Sequence, residues 1–209
     1  MTLQPRESEA VVIGASAGGL RAVSAVLETL PPHFPAVVAV VQHRSASPND
    51  RLSSILRQRC ALPVRQAEDK EPLEGGCVFV APAGYHLLVE EDRTFSLSVD
   101  QRVRYARPSV DVLFETAAEA YYDTLVGVVL TGAGQDGAAG LRRIAMLGGV
   151  TIVQDPETAE VPSMPAAALQ SVPESLRVAL HEIGSVLDEL CVTPTAPDSR
   201  IRSGHDSDG

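Results

Sequence analysis

Short runs of β-branched and aliphatic residues alternate along this chain with longer stretches whose apolar positions recur every three or four residues. That alternation predicts parallel βαβ units, with helices covering both faces of one sheet. The fold expected is a three-layer α/β/α, doubly wound arrangement. Strands are expected at 10–14, 36–42, 63–67, 77–81, 125–131 and 150–154. The segments 37–41 and 126–130 carry no polar side chain, as strands covered on both faces do. Residues 86–90 and 95–99, joined by Glu91-Asp92-Arg93-Thr94, read as a small antiparallel hairpin excursion. Helices are expected at 19–30, 48–60, 109–122, 138–147, 165–171 and 181–191, with Ser109 as an N-cap after Pro108. One domain then spans 10–192. It is preceded by an extension, 1–9, and followed by a polar tail, 193–209, expected to be disordered.

In a sheet of this kind, function gathers beyond the carboxyl ends of the strands. Three loops fall there. The first, Gly14-Ala15-Ser16-Ala17-Gly18, matches G-x-S-x-G, in which small neighbours permit a sharp turn that exposes a nucleophilic Ser. A glycine loop between strand and helix is equally the usual phosphate cradle, although no Lys follows it as a P-loop requires. The second loop supplies His43. Of the other histidines, His33 and His205 fall in loop or tail, His181 opens a helix, and His86 begins a strand in a structural setting. The third, Gly132-Ala133-Gly134-Gln135-Asp136-Gly137, is a literal G-x-G-x-x-G, and Asp155 stands where a ribose-binding acid would. About 70 residues remain after it, too few for a second mononucleotide half, and Asp136 would set a negative charge beside a pyrophosphate. Asp136 also reads as a plain acidic N-cap of the helix from 138. Taken together, a Ser, a His and an Asp at one sheet edge point to acyl transfer. Ser16 would attack, His43 would take its proton, and Asp136 would fix the imidazole.

Composition narrows the choice. The chain has 209 residues, 44% of them hydrophobic and only 4% aromatic, with no Trp, so its core is aliphatic. A net charge of −10 argues against a nucleic-acid partner. No apolar run reaches the roughly 20 residues of a membrane span. The start, MTLQPRESE, lacks a signal-peptide pattern, so a cytoplasmic location is expected. Three scattered cysteines and no ligand cluster point away from disulfides and metal. No cofactor is expected.

The stretches GASAGG, QHR, RPSVDVLFETAA, LTGAGQDGAAGL and MPAAAL resemble the catalytic domain of the chemotaxis protein-glutamate methylesterases, from about residue 11 to about 190. The resemblance implies hydrolysis of γ-glutamyl methyl esters on the cytoplasmic helices of chemoreceptors, with release of methanol, and deamidation of particular glutamines in some members. It places the family's catalytic triad on Ser16, His43 and Asp136. It also suggests the backbone N–H groups of Ala17 and Ala133 as oxyanion donors. The chain departs from the common pattern at Ala17 (often Thr), Ala133 (often Met) and Gln135 (often Asn). Well-known members carry an N-terminal receiver domain, whereas the first strand here begins at residue 10. The expectation is therefore a stand-alone catalytic domain, indifferent to phosphodonors, whose partners are chemoreceptors or other chemosensory proteins. A catalytically reduced binding module of the same fold is the alternative.

Overall fold

The computed structural model describes residues 8–45 and 51–191. Most of the extension, all of the tail and the expected start of a helix at 48 lie outside them. Nine strands form: β1 (Ala10–Ala15), β2 (Val37–Gln42), β3 (Val64–Gln66), β4 (Val78–Val80), β5 (His86–Val89), β6 (Phe95–Ser98), β7 (Leu125–Val129), β8 (Val150–Gln154) and β9 (Leu176–Val178). Seven of them make one sheet in the order β3-β4-β2-β1-β7-β8-β9, and every pairing in it is parallel. β5 and β6 pair separately as the antiparallel hairpin.

The helices are α1 (Gly19–Glu28), α2 (Leu52–Arg57), α3 (Val110–Tyr121), α4 (Ala138–Met146), α5 (Ser163–Ser171) and α6 (Ile183–Leu190). Strand alternation sorts them into layers. Val11, Ile13 and Ala15 of β1 meet α1, α2 and α6 through residues such as Val23, Leu27, Leu56 and Leu187. Ala10 and Val12 point the other way, into a core made by α3, α4, α5 and the hairpin, with Leu113, Phe114, Leu141 and Met164. The expected three-layer architecture is the one observed.

Two differences from the expected elements have local causes. The strand expected to reach Thr131 leaves the ladder after Val129, because the Thr131 N–H turns to the side-chain Oε1 of buried Gln154, 2.8 Å away. β9 was not expected at all. Its Leu-Arg-Val is too short to show a period, and it becomes a strand by adding to the exposed edge of β8.

The chain leaves β1 on one side through β2, β3 and β4, then returns to β7 on the other side of β1. This reversal makes a switch point between β1 and β7, where a crevice opens at the strands' carboxyl ends. Ser16 follows one of these strands and Asp136 the other.

Candidate active site

The Ser16 loop is pinned from three sides. The Ser16 N–H donates to Thr131 O (3.0 Å), and its carbonyl accepts from Gly19 N (2.9 Å) and from the Gln42 side chain (2.7 Å). The Thr131 hydroxyl donates in turn to Ala17 O (3.0 Å). Gly132 lies against the loop so closely that an added methyl would stand 2.7 Å from Ser16 Cβ and 2.2 Å from Met164 Sδ. Among the described residues, neither the Ser16 hydroxyl nor the Ala17 N–H has a hydrogen-bond partner. Both are left to face a ligand. Ala133, one residue past Gly132, is exposed with its N–H equally unengaged among the described residues, while Gly134 N is taken by Ser163 Oγ (3.2 Å).

His43 sits beside this loop because β2 pairs in register with β1: Ala15 faces Gln42, and the His43 N–H donates to Ala15 O (2.9 Å). Its Nε2 donates to Asp136 Oδ2 over 2.7 Å. An ionised carboxylate can only accept, so Nε2 carries a proton, and in the neutral imidazole Nδ1 is then the nitrogen with a lone pair. The structure therefore joins His43 to Asp136 directly. It brings Ser16 alongside them on the neighbouring strand, without a hydrogen bond from its hydroxyl to the imidazole. Such contacts commonly tighten only when substrate is bound.

Asp136 is buried and its four acceptor positions are filled. Oδ1 takes the Ser109 hydroxyl (2.8 Å) and the Asp111 N–H (3.0 Å); Oδ2 takes the Val110 N–H (2.8 Å) as well as His43. Burial by itself would raise its pKa. The hydrogen bonds from His43, Asp111 and Val110 outweigh that and hold the carboxyl below its ordinary range. Asp136 thus is a helix cap, but of α3 rather than of α4 as its position suggests. The cap of α4 is Asp111, whose Oδ1 accepts from Gly137 N and Gly140 N, each at 2.8 Å. Burial pushes the Asp111 pKa up, against the pull of the Gly140 N–H and of Arg104, whose Nε lies 3.0 Å from Oδ2. Each helix start is closed by a carboxylate from the other helix's entry.

That exchange removes the dinucleotide reading. A pyrophosphate would need the N–H groups at the start of α4, and Asp111 already occupies them. Asp155 pairs with Arg177 (2.6 Å) and accepts Glu157 N within a tight turn. Ser109 holds the N-cap position, yet it gives its hydroxyl to Asp136 instead of capping. His86 has the structural place expected of it: Nδ1 accepts from Ser109 N (3.2 Å) and Nε2 donates to Gln101 O (3.1 Å). Sequence reasoning missed Asp111, Thr131, Gln154 and Met164 as supports of the site. Asp111 and Thr131 lie inside the quoted stretches RPSVDVLFETAA and LTGAGQDGAAGL, but no spacing rule reveals whom they bond.

A cleft of about 610 Å³ opens on Ser16, lined also by Gly18, Leu20, Ser24, Gln42 and Ile55. No group of three or more potential metal ligands occurs among the described residues, and no described helix is long and apolar enough to cross a membrane.

The chain is similar to known proteins along nearly its whole length. The family model described as CheB methylesterase matches residues 11–187. A Leptospira interrogans protein assigned by name to the protein-glutamate methylesterase/protein-glutamine glutaminases is 46% identical over 182 residues, covering 87% of this chain and 94% of that one. Protein-glutamate methylesterase/protein-glutamine glutaminase 1 of Bordetella avium is 39% identical over 94% of this chain, which spans 58% of that longer relative. The crystal structure of the Thermotoga maritima CheB methylesterase catalytic domain superposes with a TM-score of 0.83 at 32% identity, covering 90% of this chain and 99% of that one. With the family model covering most of the chain and these relatives matching it in fold and sequence, the chain belongs to the CheB methylesterase family.

Proposed function

We propose that this protein hydrolyses γ-glutamyl methyl esters on the cytoplasmic helices of chemoreceptors, with Ser16, His43 and Asp136 as its catalytic residues. The observation that carries the reading is the 2.7 Å bond from His43 Nε2 to buried Asp136, at the switch-point edge beside the free Ser16 hydroxyl. Ser16 Oγ attacks the ester carbonyl while His43 Nδ1 takes its proton. The tetrahedral oxyanion is met by the Ala17 N–H, with Ala133 N–H as a second donor. His43 then gives the proton to the departing methoxide, releasing methanol and leaving an acyl-Ser16. Water, deprotonated by the same imidazole, cleaves this intermediate and restores both Ser16 and a glutamate carboxylate. A glutamine side chain entering the same way would release ammonia instead. The imidazolium formed in each step is stabilised by Asp136, which remains ionised.

The test is methanol release from a methylated receptor fragment. Ser16→Ala removes one oxygen from a loop held by backbone bonds, so it is expected to abolish release with an unchanged melting temperature. Full activity in Ser16→Ala would exclude the mechanism. A catalytically reduced binding module would instead show no Ser16-dependent release while still binding the receptor fragment.

A further inference from the structure

A second cleft, of about 300 Å³, opens at His43 and is lined by Arg44, Arg102, Arg104, Tyr105 and Arg107. Four of the chain's 17 basic residues therefore gather around one small cavity, in a chain with 27 acidic ones. No carboxylate lines it among the described residues. Two of the guanidinium groups are placed by the backbone: Arg107 donates to the carbonyls of Val99 and Asp100, and Arg102 to Tyr105 O (3.3 Å). Carbonyls orient a guanidinium without cancelling its charge. Arg104 also meets a carboxylate, that of the buried Asp111.

The loop that presents them is built tightly. Val103 and Ala106 exchange two backbone hydrogen bonds (3.1 and 2.8 Å), closing a two-residue turn. Both central residues, Arg104 and Tyr105, have positive φ, +48° and +65°, which side chains with a Cβ disfavour. The ion pair of Arg104 with Asp111 ties this strained turn to the start of α4. Tyr105 stands at its tip, 95% exposed.

We propose that this cleft is the subsite that reads acidic residues flanking the reacting ester on the substrate helix. The proposal rests on the methylesterase reading above. Residues three or four apart on a helix share a face, so carboxylates one turn from an ester seated at Ser16 and His43 fall within reach of these arginines. Guanidinium pairs with carboxylate through two parallel hydrogen bonds, giving orientation as well as attraction. A molecule with net charge −10 repels an acidic helix at a distance. A local cluster of like-signed arginines is what would let that helix dock.

The test uses two helical peptides with one γ-methyl glutamyl ester each, alike except for Glu or Gln three and four residues to either side. Methanol release is measured with the full chain. The wild type is expected to favour the Glu-flanked peptide by roughly three- to tenfold in kcat/KM, mainly through KM. Arg102→Gln, in an exposed turn, should erase most of that preference while changing the Gln-flanked peptide less than about twofold. Arg102→Lys should recover part of it. Equal rates on the two peptides by the wild type would overturn the subsite and leave the methylesterase reading standing. So would an equal loss on both peptides in Arg102→Gln. If neither peptide releases methanol while a small activated ester still turns over in a Ser16-dependent way, the methylesterase reading falls, and the subsite with it.

Discussion

Each oxygen of Asp136 accepts two hydrogen bonds, and asparagine in its place offers one oxygen where two are needed. Asp136→Asn is expected to lower turnover by roughly 10³–10⁴, as loss of an orienting carboxylate does in related triads. It should also cost about 1–2 kcal/mol of stability, because the start of α3 loses part of its cap. Kinetics and thermal melts on one preparation separate the two effects. Ser109→Ala removes a single donor to Oδ1, so it should cost about 1 kcal/mol while reducing turnover far less. Gly132→Ala pushes a methyl into Met164 and Ser16. It is expected to destabilise by about 1–3 kcal/mol and to cut turnover sharply, since the group displaced carries the nucleophile. At this scale the sequence was most legible where chemistry and position coincide. Ser16, His43 and Asp136 could be placed at one sheet edge because each lies in the loop that follows a strand. Asp111 could not, because its worth lies in amides 26 and 29 residues away.

The starts of α3 and α4 form one device, each helix closed by a carboxylate from beside the other. Removing either acid therefore disturbs both elements. Asp111→Ala is expected to cost about 1–3 kcal/mol by leaving two buried N–H groups unpaired and Arg104 without its carboxylate. It should also lower turnover indirectly, through Asp136. Because Asp111 fills the anion site at the head of α4, NAD(P) titrated into the wild type should produce no thermal shift; saturable binding would overturn that account of the glycine-rich loop. The long elements were legible because burial on both sides of the sheet writes them as unbroken apolar runs, as in β2 and β7. β9 was not, since three residues with Arg177 in the middle carry no period and depend on β8 to become a strand. The apparent N-cap at Asp136 was misread for the same reason: local spacing names a cap, but tertiary packing decides which helix receives it.

Across the whole molecule, two apolar cores clamp one parallel sheet, and the carboxylates that matter most lie at its carboxyl edge. Their opposite pKa displacements predict the shape of the stability curve. Asp136, held below the ordinary range, favours the native state above about pH 4, where unfolded carboxyls are ionised. That contribution is lost as pH falls through its lower native value. Asp111 has the other sign: burial raises it, so the native chain takes up this proton before the unfolded chain does. Its ionisation costs stability at neutral pH, and the cost disappears as pH falls through the raised value. The repulsion within a chain of charge −10 also relaxes on approach to the pI near 4.9. Thermal stability should therefore hold or rise slightly from neutrality toward pH 5, then fall steeply below about pH 4. Melting temperatures taken across this range on wild type, Asp136→Asn and Asp111→Asn give the check. The gap between wild type and Asp136→Asn should close as the solution becomes acid, because protonation removes from the wild type what the variant already lacks. Asp111→Asn should show a smaller rise, since only the relaxing charge repulsion remains to produce it. If the wild-type and Asp136→Asn curves instead run parallel down to about pH 3, Asp136 is not the group whose protonation unfolds this edge of the sheet.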